Sequence, residues 1–211
     1  MNQPNLPKII NILKDKYVTA NCELIYNKDY ELMIAGRLSA RCKDEQVNMV
    51  TSKLFKCYPT LISFANANIA DVEALIRPCG LFKTKAADIV SACKQIHSKF
   101  GAALPSTLEQ LILLPGIGRK TANLIIAEVF KLPAVICDVH CIRITNRLGL
   151  CSTKDPFKAE QTLKNILPAE ESVGFCHRLV RFGRAVCKAT SPKCTSCELS
   201  NFCCIPSHNT Q

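Results

Sequence analysis

The chain has 211 residues, 48% hydrophobic and 21% charged, with a formal net charge of +10. It is long enough for one large domain or two small ones with real cores, and it reads as soluble and globular. No apolar run approaches the ~18 residues of a membrane span, MNQPNLPKII lacks the layout of a signal peptide, and nucleic acid is the most economical partner for so basic a chain.

The predicted elements are helical throughout. YELMIAGRLSARCKD (30–44), DEQVNMVTSKLFKCY (44–58) and TKAADIVSACKQIHSKF (84–100) carry apolar residues at helical spacing. Asp71 and Thr84 stand where N-caps are expected, and Gly80 and Gly101 where helices end. STLEQLILL opens with Ser106 and Glu109 at capping-box spacing. AVICD (134–138) is a short strand candidate, and DVHCIRITNRLGL (138–150) starts at an Asp and stops at Gly149. There is no internal repeat or low-complexity linker. The reading is all-α, with short connections.

The segment LPGIGRKTANLI (114–125) predicts a tight glycine turn between helices at 106–113 and 119–130. It is not a phosphate loop of the Walker type, which needs Gly directly before Lys. It also lacks the third Gly of a dinucleotide fingerprint. Gly116 and Gly118 let the backbone turn sharply and approach a ligand, and the second helix starts with N–H groups suited to phosphate. Arg119 and Lys120 stand at its mouth. The positive end of the helix dipole favours an uncharged amine at Lys120, poised for covalent attack. A phosphate contact accounts for these residues equally well. From Lys120 to Phe130 a helix runs ~15 Å, and residues 131–138 reach ~26 Å if extended. Pro133 ends the helix, so the connector can double back and bring Asp138 beside Lys120. Asp138 is also placed to cap the following helix.

Of the 14 cysteines, Cys22, Cys42, Cys57, Cys79, Cys93, Cys137, Cys141, Cys151, Cys176 and Cys204 are scattered, mostly in apolar stretches. They read as small buried hydrophobes in a reducing compartment, not as a secreted disulfide scaffold. Cys187, Cys194, Cys197 and Cys203 differ. Their C-x6-C-x2-C-x5-C spacing suits four thiolates on a zinc ion or a cubane iron–sulfur cluster, and spacing alone leaves the metal open.

LPGIGRKTAN, with DVH eighteen residues after the lysine, resembles the helix-hairpin-helix DNA glycosylases, and within them the endonuclease III family. ELMIAGRLSARCKD, GLFKTKA, CDVHCIRITNRLGL and the terminal cysteines follow the family's order and spacing over almost the whole chain. The resemblance implies a two-lobed all-α fold. One lobe is a helical barrel at 22–132, with the hairpin at about 106–130. The other joins 1–21 to 133–211 and carries a [4Fe-4S] cluster on Cys187, Cys194, Cys197 and Cys203. It implies a base-excision-repair glycosylase and abasic-site lyase acting on double-stranded damaged DNA, oxidised pyrimidines of the thymine-glycol type. Lys120 is then the nucleophile and Asp138 the supporting carboxylate. Arg41, Leu81, Gly116, Gly118, Arg119, His140, Lys188 and Lys193 are the implied DNA contacts, with Leu81 as the wedge at the opened stack. A monomer in the bacterial cytoplasm, at the nucleoid when bound, is expected.

The chain departs from the family at three positions. Arg41 stands where Gln is usual, Arg37 replaces an apolar residue, and Val139 stands where Thr is common. At helical spacing Arg37 and Arg41 share a face, which makes both candidates for the lesion pocket. Against that, Arg37 can snorkel outward and Arg41 can pair with Asp44 or Glu45. Two alternatives stay open: a glycosylase of the same fold for a deaminated or alkylated base, and a non-catalytic iron–sulfur DNA-binding protein.

Overall fold

The computed structural model describes residues 5–204. The described residues are helical with no strand, and none of their helices is long and apolar enough to cross a membrane. The chain divides into two compact units: Glu23–Leu132, and Met1–Cys22 together with Pro133–Gln211.

The first unit is built around α2 (Asp29–Leu38). Its LMIA run leaves no polar face, so Leu32, Met33, Ile34, Ala35 and Leu38 are all buried. Each of the four larger side chains contributes about 1.5–3 kcal/mol on leaving water. Glu31 is buried too, but its Oε2 accepts from the N–H groups of Asn27 (2.7 Å) and Lys28 (3.2 Å), which closes the helix start. Around α2 lie α3 (Asp44–Cys57), α6 (Phe82–Lys99) and α8 (Arg119–Glu128). The short α4 (Leu61–Ala65) and α5 (Ile69–Ile76) pack on α6, and α7 (Leu108–Leu111) packs on α8.

Several expected boundaries move. The predicted helix over 30–44 ends at Leu38, because Ser39 caps it and Arg41 enters the left-handed region at φ +56°. The caps are Asn68, Leu81 and Thr107 instead of Asp71, Thr84 and Ser106. Asn68 Oδ1 accepts from Ala70 N at 2.9 Å, and Thr107 Oγ1 accepts from Gln110 N at 3.3 Å, each closer to its helix start than the acid or serine first expected.

The second unit contains α1 (Leu6–Lys16), α9 (Val139–Arg147), α10 (Pro156–Ile166) and α11 (Ala169–Ala185). Helix α1 buries Ile9, Ile10 and Leu13 and packs on α11, which also packs on α9. Lys14 pairs with Glu171. Together with Arg178, this lysine holds the Glu171 carboxyl below the usual carboxylate range. Residues 134–138, the expected strand, form no strand, although 134–137 are buried, since no strand among the described residues offers them a ladder. Six of the scattered cysteines are buried, as expected, whereas Cys57 and Cys204 are exposed.

Candidate nucleic-acid interface

The hairpin is short. Helix α7 gives way to a turn at Leu114–Ile117, closed by the Ile117 N–H donating to Leu114 O at 3.1 Å. Gly116 sits at φ +72°, and Gly118 caps α8 in an extended conformation. The first N–H groups of α8 have no acceptor inside the helix, and glycine supplies no side chain to cap them. They form a concentrated donor site with partial positive charge, the chemistry that holds a phosphate. Lys120 is exposed on this first turn, and Arg119 is half-buried beside it.

Two contacts fix the hairpin from below. A Cβ on Gly36 of α2 would lie 2.8 Å from Thr121 Cγ2, so α2 and α8 touch where only glycine fits. Next to it, Arg37 donates to Asp88 Oδ2 from Nε (2.8 Å) and Nη2 (2.6 Å). A Cβ on Gly116 would come within 2.5 Å of Arg37 Nε and 2.6 Å of Asp88 Oδ2. The turn therefore rests on an ion pair between α2 and α6. This corrects the expectation for Arg37. It neither snorkels outward nor shares a helical face with Arg41, because α2 has ended before residue 41.

Gly116 is the position most sensitive to change. Alanine there meets both a left-handed backbone and the ion pair beneath. Gly116→Ala should lower stability by about 1–3 kcal/mol and weaken duplex binding by roughly tenfold. Urea denaturation and fluorescence anisotropy read the two effects. Binding left unchanged beside a clear stability loss would show that the turn does not touch DNA.

In the other unit, Asp138 caps α9: its Oδ1 accepts from Cys141 N at 2.7 Å. His140 is half-buried, with Nδ1 3.1 Å from Arg143 Nη2 and packed against Gly183 of α11. Val139 is 71% exposed. The cysteine-rich loop is tied to α9 by two arginines. Arg143 donates to Cys187 O from Nη2 (2.9 Å) and Nε (3.2 Å). Arg147 donates to Cys187 Sγ (3.2 Å), Lys188 O (2.8 Å) and Ala189 O (3.2 Å). Lys188 and Lys193 are exposed on this loop.

The donor chemistry of the loop fits an iron–sulfur cluster. Burial pushes the Cys197 thiol up, and Cys187, Cys203 and Cys194 lie close enough to raise it further as like charges, while the Leu199 N–H opposes them. Cys204 lies against the end of α9 and the turn after it. Its N–H donates to Arg147 O at 2.7 Å, and its Sγ lies over Gly149, where a Cβ would meet it at 2.7 Å. Guanidinium and N–H donors at thiolate sulfur are levers by which proteins stabilise such clusters. No group of three or more His, Cys, Asp or Glu among the described residues is placed to hold a metal ion.

Sequence reasoning missed Asp88, Lys85, Arg143 and Arg147. The i, i+4 spacing of the last two on α9 was the available signal. Asp88 and Lys85 gave none, since their partners come from distant parts of the chain.

A glycine turn on a helical hairpin, in a helical unit with a basic mouth, defines a helix-hairpin-helix protein. The HhH-GPD superfamily of base excision DNA repair proteins matches residues 34–169. Endonuclease III from Synechocystis is 39% identical over 93% of this chain and 90% of its own length. That from Bacillus subtilis is 36% identical over 96% and 93%. The solved structure of a trapped endonuclease III–DNA covalent intermediate, the estranged-adenine complex, aligns with a TM-score of 0.91 at 37% identity, covering 96% of each chain. The chain belongs to the endonuclease III family of this superfamily. It is accordingly a DNA glycosylase with abasic-site lyase activity.

Proposed function

We propose that the enzyme removes oxidised pyrimidines of the thymine-glycol type from double-stranded DNA and then cuts the strand. The observation that carries this reading is Lys120, exposed on the first turn of α8 at the mouth of the glycine turn, in a chain so similar to a protein trapped covalently on DNA. A base within the stack is out of reach, so it is extruded into a pocket. The Lys120 amine attacks C1′, the bond to the damaged base breaks, and the base departs with its electron pair. Loss of a proton from nitrogen, then cleavage of the C1′–O4′ bond with O4′ taking up a proton, gives a protonated Schiff base. That cation acidifies C2′–H; once this proton leaves, the C3′–O bond breaks by β-elimination. Asp138 assists the amine and stabilises positive charge as it develops on the sugar.

The hairpin at Gly116, Gly118 and Arg119 grips phosphate, and Arg41 and Leu81 enter the opened stack. Arg37 serves this site indirectly, by supporting the hairpin through Asp88. His140, Lys188 and Lys193 contact the duplex. Cys187, Cys194, Cys197 and Cys203 would hold a [4Fe-4S] cluster, which when bound would cross-link the loop that carries both lysines. The enzyme acts as a monomer, in the bacterial cytoplasm and at the nucleoid.

Borohydride trapping on duplexes carrying thymine glycol, dihydrouracil, uracil, 8-oxoguanine or an abasic site tests the substrate class. Adducts on the two oxidised pyrimidines and the abasic site are expected. An adduct on the abasic site alone would keep the lyase and remove the lesion assignment. The same panel with Arg41→Gln should shift the lesion or opposite-base preference severalfold, because an arginine brings charge and a bidentate fork where Gln brings a neutral amide. An unchanged profile would remove Arg41 from specificity.

A further inference from the structure

Lys85, on the first turn of α6, is fully buried, and the chemistry above does not use it. Its ammonium does not face a carboxylate. Instead Nζ donates to two backbone carbonyls, Leu38 O and Cys79 O, each at 2.8 Å. Leu38 is the last residue of α2, and Cys79 ends the 3₁₀ turn Arg77–Cys79. Both are terminal carbonyls, which lack a helical partner and carry the negative end of the local dipole.

Each carbonyl precedes a short segment with an unusual backbone. Three residues beyond Leu38, Arg41 stands at φ +56°. Two residues beyond Cys79, Leu81 stands at φ +50°. Both are non-glycine residues in the left-handed region, and both are exposed, Leu81 by 54%. Such a conformation persists only where the surroundings over-determine it. The same two segments also meet at their thiols, since Cys42, next to Arg41, lies close enough to Cys79 to raise its thiol further, beyond what burial does. Burial pulls the Lys85 amine below its ordinary value, and the flanking thiols Cys79 and Cys42 oppose that pull.

We infer that Lys85 is a positioning residue that locks segments 39–43 and 80–81 into one rigid probe, so that Arg41 and Leu81 meet the duplex together. This rests on the reading of Arg41 and Leu81 as DNA contacts. A rigid pair of probes matters when a stacked, paired base must be opened. It matters little when the base is already unpaired. Lys85 should therefore act on base extrusion and leave the Lys120 chemistry alone.

The test uses the full-length protein and single-turnover cleavage of two duplexes with the same thymine glycol, one fully paired and one within a three-base mismatch bubble. Lys85→Met, which keeps the length and removes the donors, should lower the paired-to-bubble rate ratio about tenfold or more. Ile89→Ala, a buried change on the same helix, should lower stability and leave the ratio near wild type. Lys85→Gln, which keeps an N–H donor, should fall between and serves if Lys85→Met does not fold. An unchanged ratio in the Lys85 variants, with a lowered one in Leu81→Gly and Arg41→Gly, would overturn the inference alone. An unchanged ratio in Leu81→Gly and Arg41→Gly as well would overturn the DNA-contact reading, and the inference with it.

Discussion

Lys120→Ala should abolish the borohydride-trapped adduct on every duplex of the panel. Loss of the nucleophile should lower strand cleavage by at least ~10³-fold, since a covalent route cannot proceed without it. The fold should be untouched. Lys120 is exposed, and alanine has the highest helix propensity of any residue. Duplex binding should weaken only modestly. One fewer cation at the backbone lowers the slope of log affinity against log salt by about 0.9. Full loss of the adduct beside nearly intact binding is the signature of a nucleophile. A surviving adduct with a reduced salt slope would mark Lys120 as a phosphate ligand and assign attack to another amine.

The second large effect concerns Asp138, whose observed role as a cap and proposed role in the chemistry can be separated by substitution. As the cap of α9, it accepts a hydrogen bond from Cys141 N at 2.7 Å. Asparagine caps about as well as aspartate, so Asp138→Asn should hold stability within ~0.5 kcal/mol, whereas Asp138→Ala should lose ~1 kcal/mol. Both variants lack the carboxylate, and both should lose cleavage by ~10²-fold or more. Urea denaturation and single-turnover rates give the two readings. Equal activity loss at unequal stability assigns the carboxylate to the chemistry. Full activity in Asp138→Asn would leave it a cap and nothing more.

Much of this arrangement was legible in the sequence because it is local. The hairpin turn is written in adjacent residues, Leu114–Gly118, and the Asp138 cap lies within three residues of its donor. What escaped depended on distant partners. Arg37 was assigned a helical face with Arg41, yet α2 stops first, and its partner Asp88 lies on α6. A lysine within KTKAAD gives no sign of burial, since the carbonyls that satisfy it come from two other turns of the fold. The cap errors have one cause. Asp71, Thr84 and Ser106 have capping side chains, but the caps lie three residues earlier at α5 and α6 and one residue later at α7.

The division of the chain also sets an order of events during synthesis. Glu23–Leu132 is contiguous and can fold once it has left the ribosome. Helix α1 emerges before it, with Ile9, Ile10 and Leu13 on its apolar face, but packs on α11, which begins only at Ala169. At about 5–20 residues per second, roughly 150 residues take some 8–30 s. For that interval the nascent chain carries an unsatisfied amphipathic helix ahead of a finished domain, a substrate for chaperones, and the cysteine loop is made only after α11.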